Sequence, residues 1–534
     1  MNTSYFLLLL HAHMPYVLDP GAEDTLEQRW LYEALIDCYI RLIQVFDRLV
    51  RDGVPLGITL SLSPTLLAQL ENPLLIERLR SYLRCQIDLA GKEIKRTTKI
   101  PALSSLAGMY RSYYRSALET FDERCNGDLI HVFKSYQDEG ILEIITCAAT
   151  HAYLPLLRPT ASGIRAQIAV AVKEYRRLFG ISPAGLWLPE CGYFPGLDRI
   201  LLRAGIEYTF LDTHTVCDSA PPPEYGTYAP VLCPSGMVAF GRDVHSAKEV
   251  WSSLDGYPGD YDYRDFYRDI GYDLDLDYLR PYLPGGVRCH TGMKYHRIEQ
   301  RGGEHQIYDP DSAARKVSIH ADDFLAHRMR HARDLVLSMP FPPVVCAFYD
   351  AELFGHWWFE GPLWVEALFR KLSECREFFS PVTPGTFLSL GFPLQHAQPP
   401  GGSWGWKGHH EVWLNERNGW VYPHLFKAGE KMEDMARQDL RSDLEERALN
   451  QAGRELLLAQ SSDWTFILHN QTLTEYATRR IKEHIGRFWR LIHQIEDNAI
   501  DEEGLLRIER QDNVFPTFSY KDFLPDTARG PDSS

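Results

Sequence analysis

The sequence predicts an α/β fold: a parallel sheet curled into a barrel, with its chemistry at the carboxyl edge of the strands. Three observations carry this. Short continuous apolar runs at 5–10, 57–62, 142–147, 185–189, 208–211 and 344–348 read as strands buried on both faces. Helical stretches lie between several of them, and a strand–helix–strand unit with such a crossover gives parallel neighbours. Polar and aromatic clusters then recur at the same end of successive runs, where a barrel keeps its active site.

The first run ends in His11-Ala12-His13-Met14-Pro15-Tyr16. A period of two puts His11 and His13 on one side. Trp30, Leu31, Ala34, Leu35, Cys38, Leu42, Phe46 and Leu49 recur at helical spacing until Gly53 and Pro55 stop the helix. The strand at 57–62 follows. Residues around 65–138 turn helical and highly charged, which reads as a helical insertion between strands. The strand at 142–147 leads to Thr150-His151-Ala152-Tyr153, and a helix is expected over 162–178. The run at 185–189 delivers Glu190-Cys191-Gly192-Tyr193. A short helix near 196–204 precedes the run at 208–211, which ends in Asp212-Thr213-His214.

Pro221-Pro222-Pro223 opens an irregular loop region around 217–260, through Tyr225, Tyr228 and Pro230. A loop of that length is usually functional or mobile. Residues 251–282 are dense in Tyr, Asp and Arg without a clean period. A helix over 324–339 precedes the run at 344–348, which ends in Asp350-Ala351-Glu352-Leu353-Phe354-Gly355-His356-Trp357-Trp358-Phe359-Glu360-Gly361. One more strand-like piece lies in 381–400. Pro399-Pro400-Gly401-Gly402 then breaks the chain ahead of Ser403-Trp404 and Trp413. Amphipathic stretches at 432–460 and 472–498 predict an antiparallel helical pair. The polar tail after residue 516 reads as fraying. The expected division is a catalytic barrel over 1–400 and a helical C-terminal domain over 401–534.

A chain of 534 residues exceeds one compact core. Its net charge of −16, from 56 basic and 72 acidic residues, argues against a nucleic-acid or anionic-membrane partner. The charge is compatible with a neutral polymer. Ten scattered cysteines include no CxxC pair, which suits a reducing cytoplasm. No basic leader precedes Leu7-Leu8-Leu9-Leu10, and no 18-residue uncharged apolar run occurs, so neither a signal peptide nor a membrane span is expected. A cytoplasmic enzyme is the expectation.

Glu190 and Asp350, at the ends of different strands, form the strongest constellation. Glycoside chemistry needs two carboxyl groups flanking the scissile bond: one attacks or activates water, the other protonates the leaving oxygen. A separation of about 5–5.5 Å gives retention and a longer one inversion; sequence leaves this open. Each acid alone also reads as a salt-bridged core carboxylate. His11, His13, His151 and His356, with Asp212 and His214 nearby, have three readings: a zinc set, groups that bond sugar hydroxyls and tune Glu190, or satisfied strand caps. No HExxH or zinc-ribbon spacing strengthens the first. Trp30, Trp357, Trp358, Trp404, Trp413, Tyr228 and Trp464 lie outside apolar runs and are candidate sugar platforms. Trp30 fits a helix core equally well. Trp404 follows a glycine-rich break and favours ligand contact. Asp463-Trp464 either reaches back to the site or makes an interhelical contact. Gly285-Gly286 and Gly302-Gly303 match no phosphate-binding loop.

The ordered series His11–Tyr16, Cys147–His151, Trp187–Tyr193, Tyr349–Trp358 and Ser403-Trp404-Gly405 resembles the five signature regions of glycoside hydrolase family 57, and most resembles its 1,4-α-glucan branching enzymes. The resemblance spans nearly the whole chain. It implies an incomplete TIM-like (β/α)7 barrel, a helical insertion and a helical C-terminal domain. It implies retaining cleavage of α-1,4 bonds with transfer to a 6-hydroxyl, without metal or organic cofactor. Glu190 would be the nucleophile and Asp350 the acid/base. His11, His13 and His151 would line the subsite at the cleaved bond, and Trp404, Trp413 and Trp30 would be glucan platforms. A tyrosine of the 221–230 loop, Tyr228 in preference to Tyr225, would favour transfer over hydrolysis. The partner implied is an α-1,4-glucan such as amylose; oligomeric state stays open, with a monomer the simplest case. One departure stands out: Trp406-Lys407-Gly408-His409-His410 is bulkier than the family's small continuation. A family hydrolase or 4-α-glucanotransferase is the alternative, and a metal-dependent deacetylase-like enzyme or a non-catalytic glucan-binding protein follows.

Overall fold

The computed structural model describes residues 4–21, 25–252, 256–299, 305–439 and 442–525. Gly302-Gly303 and residues 526–534 lie outside this set. Seven strands carry the barrel: β1 (Ser4–Ala12), β2 (Ile58–Leu62), β3 (Leu142–Cys147), β4 (Leu186–Trp187), β5 (Tyr208–Leu211), β6 (Val238–Gly241) and β7 (Val344–Asp350). These strands pair in parallel, in the order β4-β3-β2-β1-β7 and, separately, β5 beside β6. A bridge between Gly185 and Tyr208 joins β4 to β5. The Asp243 amide donates to the Cys346 carbonyl at 2.8 Å and joins the end of β6 to β7. The strands therefore follow chain order round a curl whose last member returns beside the first.

The alternation along β1 shows why. Leu7 and Leu9 face an inner cluster with Ile145, Trp187, Phe210, Phe240 and Phe348. Phe6, Leu8 and Leu10 face the surrounding helices. Both faces are apolar because both are covered, which makes β1 a continuous hydrophobic run. His11 continues the inward series above Leu9, and Asp350 continues it above Phe348.

One helical rod links β1 to β2: α1 (Leu26–Glu33), a π-helical segment (Ala34–Tyr39) and α2 (Ile40–Arg51). The insertion is dominated by the packed pair α3 (Pro73–Arg96) and α4 (Pro101–Glu119). Helix α5 (Ala161–Phe179) follows β3, α6 (Val244–Trp251) follows β6, α7 (Pro310–Ser338) precedes β7 and α8 (Gly361–Glu374) follows it. The C-terminal helices are α9 (Val421–Ala436), α10 (Asp443–Ala459), α11 (Ser462–Asn470) and α12 (Thr474–Glu496).

Four expectations need correction. The stretch 217–260 is not one irregular loop, since it holds β6 and α6; four residues between glycine-containing turns are too short to show a period. Helix α7 begins at Pro310 rather than near 324, because its first turns bury only the small side chains Ala313, Val317 and Ala321, which make a weak apolar stripe. The stretch 432–460 is two helices, with the Ser442 hydroxyl capping α10 by accepting from the Glu445 amide at 3.2 Å. Residues 517–525 pack rather than fray: Phe518 and Phe523 are buried, and Lys173 bonds Asp522 at 2.7 Å. No helix among the described residues is long and apolar enough to cross a membrane.

Candidate active site

His11 and Asp350 are register partners on β1 and β7, so strand pairing sets them side by side. Glu190 arrives differently. After β4 the chain turns sharply, with φ of 61° at Glu190 and 51° at Cys191. Side chains seldom take this left-handed backbone, which costs about 1–2 kcal/mol per residue; His151, at φ 55°, shares it. Such positions persist only where the surroundings hold them. Here the Glu190 carbonyl accepts from the Trp404 amide at 2.9 Å, and its carboxylate accepts from the Trp404 indole N–H at 2.7 Å. Glu190, Asp350, His11, His13 and His151 line one cleft of about 910 Å³.

Three serines orient the three imidazoles. Ser61 bonds His11 Nδ1 at 3.1 Å, Ser63 bonds His13 Nδ1 at 2.8 Å and Ser462 bonds His151 Nδ1 at 2.9 Å. The other nitrogens meet partners too. His11 Nε2 lies 3.0 Å from His151 Nε2, and His13 Nε2 lies 3.0 Å from an Asp463 oxygen. The His13 and His151 rings stack at 3.9 Å, and His11 stacks on Trp187 at 5.1 Å. Two triads, His11-Cys147-His151 and His13-His151-Asp463, bring donor atoms within 4.8 Å of one another. Their donors are largely turned to each other and to serines, a closed hydrogen-bonded chain rather than an open ligand set. Burial, then mutual repulsion with His151 and His13, holds His11 well below the ordinary imidazole range; burial does the same for His151. Burial would raise Asp463, but the charge and hydrogen bond of His13 hold it at about 2.

The two carboxyl groups at the centre are both shifted up. Burial, opposed by the Trp404 hydrogen bond, pushes Glu190 up to about 7. Burial, then the charges of Glu352 and Glu190, push Asp350 well above the carboxylate range, with Arg242 pulling the other way. Two like charges sharing a cleft do not both ionise readily. The arrangement can therefore hold Glu190 ionised beside a protonated Asp350. A Trp404→Phe variant tests the first half. The indole N–H stabilises the charged carboxylate, so its loss raises the Glu190 pKa. The acidic limb of kcat/KM, expected near pH 7, moves to higher pH, and activity falls more at pH 6 than at pH 8. A limb that stays put or moves to lower pH counts against this role.

The other sequence candidates divide. Trp30, His356, Trp357, Trp404, Trp413 and Asp463 line the cleft. Trp404 packs edge-on to Trp187 at 5.1 Å, and Trp413 stacks on Tyr153 at 4.3 Å. Tyr228, Trp358 and Trp464 do not line it. Tyr228 donates to Asp243 at 3.0 Å and packs on His331, while Gln395 bonds the surrounding loop at Tyr225, Gly226 and Ala229. Trp358 is core, against Tyr263 and Trp364. Trp464 is buried and donates to the Leu458 carbonyl at 2.8 Å. Asp212 and His214 pair at 2.9 Å, and the His214 ring packs where a Cβ at Gly402 or Gly408 would sit. They brace the segment that carries Trp404.

Sequence reasoning missed Arg242, whose guanidinium lies 5.1 Å over the Trp404 ring, and Trp251, which stacks on Trp404 at 6.2 Å. Sequence leaves the role of Glu352 open. It takes the Tyr39 hydroxyl and the His13 amide, the latter at 3.0 Å, and stands as a second carboxyl beside Asp350; burial raises its pKa and these hydrogen bonds oppose the shift. The only available signal was its place two residues after Asp350.

Residues 7–394 match the family description "Glycosyl hydrolase family 57", and residues 424–523 match "1,4-alpha-glucan branching enzyme, C-terminal". A 1,4-alpha-glucan branching enzyme of Thermococcus kodakarensis is 31% identical, over 96% of this chain and 77% of that one. Among solved structures, the alpha-amylase AmyC of Thermotoga maritima is 40% identical with a TM-score of 0.91, covering 98% of this chain and 100% of that chain. A GH57-type branching enzyme of Pyrococcus horikoshii is 29% identical with a TM-score of 0.89, covering 99% and 98%.

Proposed function

The chain belongs to glycosyl hydrolase family 57, and from that premise we propose that it is a 1,4-α-glucan branching enzyme working by a retaining mechanism. The observation that carries the chemistry is Glu190 and Asp350 meeting in one cleft from β4 and β7, with the Trp404 indole donating to the first. The match of the C-terminal helices to the branching-enzyme description carries the choice of reaction.

Ionised Glu190 attacks the anomeric carbon of an α-1,4-linked glucan. Its C1–O4 bond breaks, and Asp350 gives its proton to the departing oxygen. A covalent glucosyl–Glu190 ester results, which splits one difficult step into two. Asp350, now charged, takes the proton from the 6-hydroxyl of a second chain. That oxygen forms a bond to C1, the ester bond to Glu190 breaks, and an α-1,6 branch is made. Water is the competing acceptor, and Trp30 and Trp404 line the cleft it would enter, while Trp413 is buried behind them against Tyr153. His11, His13 and His151, their ring nitrogens bonded to serines, to Asp463 and to one another, form the ordered wall of the subsite beside Glu190. All ten cysteines are free thiols, which supports a reducing compartment, and a glycogen-like polymer in the cytoplasm is the proposed setting.

The similarity to an alpha-amylase favours hydrolysis as the second reading. Incubation with amylose separates the two. Branching is expected to yield α-1,6 anomeric signals by proton NMR, with few new reducing ends. Reducing ends without α-1,6 signals would make the protein a hydrolase, and neither product would remove the catalytic reading.

A further inference from the structure

One lobe of the cleft holds charged groups the reaction above does not use. The face of α1 and its π-helical continuation presents Trp30, Glu33 and Asp37 to the cleft in succession. π-Helical turns often mark functional sites. Opposite stands His356, brought there by Gly355: at φ 120°, a Cβ on this residue would lie 1.8 Å from the Asp37 carbonyl oxygen. Lys294 and Arg264 close the lobe.

Several of these groups are poorly satisfied. Glu33 is deeply placed, its side chain 16% exposed, and among the described residues it meets only the His356 ring, at 3.9 Å. His356 Nδ1 is buried without a hydrogen-bond partner, 3.9 Å from Glu33 and 3.6 Å from Asp37. Burial, aided by Arg264, lowers Lys294 to about 8. Buried polar groups are normally paired, so exceptions in a cleft point to a ligand. Glu33 and Asp37 repel an anion, and Lys294 and Arg264 repel a cation. A neutral molecule with several hydroxyls suits both sets, because the same hydroxyls can donate to Glu33 and accept from Lys294, with the His356 ring as a wall between them. Trp357, 54% exposed and stacked on Phe266 at 4.4 Å, adds an apolar face beside them.

The position selects which sugar. His356 lies on the loop that Asp350 opens. Asp350 protonates the departing chain and deprotonates the incoming one, so the acceptor occupies its side of the cleft. We propose that this lobe is the acceptor subsite, in which Glu33 and His356 hold a glucosyl unit of the receiving α-glucan chain and set transfer against hydrolysis. This rests on the branching reading.

The test is the ratio of α-1,6 linkages, by NMR, to new reducing ends on amylose, in wild type, Glu33→Ala and His356→Asn. Both products partition from the same glucosyl-enzyme, so the ratio does not depend on how much of a variant is folded. Loss of one hydrogen bond to a charged group is expected to lower the ratio about tenfold in Glu33→Ala. A ratio equal to wild type in Glu33→Ala overturns the inference while leaving branching intact. Should Glu33→Ala give no folded protein, the ratio in His356→Asn decides in the same way. A wild type that forms no α-1,6 linkages removes the branching reading and this inference with it.

Discussion

Replacing Glu190 by glutamine is expected to lower amylose turnover by at least about 10⁴-fold, the scale seen when a covalent nucleophile is removed. The amide keeps the shape and can still accept from the Trp404 indole, so the loss isolates nucleophilicity rather than packing. Glu190→Ala sharpens the test. It opens a space on the face from which Glu190 attacks, where a small anion such as azide can take its place. Azide is then expected to give a β-configured glucosyl azide, because a single displacement inverts an α-linkage. An α-product, or Glu190→Gln keeping more than a few per cent of wild-type turnover, would sink the assignment.

Asp350→Asn is expected to cost about 10³-fold on amylose, within the usual worth of a general acid–base group. The loss has a signature that a folding defect lacks. An α-maltosyl fluoride has a leaving group that needs no proton, so the glucosyl-enzyme should form from it with a far smaller loss. Equal losses on amylose and on the fluoride would show that Asp350 is not the proton donor. The surroundings of Asp350 suit a proton donor. Burial, then the neighbouring Glu352 and Glu190 carboxyl groups, hold its proton on, and Arg242 limits the shift.

Much of this site could be read from sequence because it sits at strand ends. A period of two, an apolar run and an acid or histidine at its end are local signals. They located His11, Glu190 and Asp350, and the repetition of the pattern gave the curled parallel sheet. What stayed hidden is set by contacts across the chain. Nothing local pairs Ser61 with His11 or Tyr39 with Glu352. Arg242 follows a four-residue strand too short to show periodicity. Trp357 and Trp358 look equivalent in sequence, yet one faces the cleft and the other the core, because they lie in a turn where no period applies. Tyr228 lies in a proline-rich stretch with no local sign of restraint, but its hydroxyl donates to Asp243 and Gln395 ties down the loop on either side of it.

The first turn of α11 reaches deep into the barrel mouth. Ser462 holds His151 through its hydroxyl and through its amide, which donates to the His151 carbonyl at 3.1 Å, while Asp463 holds His13. The helical half of the chain is thus wired into the reacting centre and cannot swing away like a hinged jaw without scattering the imidazoles. His13 and His151 therefore take their orientation from both halves of the chain: a change at Ser462 or Asp463, on a helix, reaches rings that lie at the ends of strands.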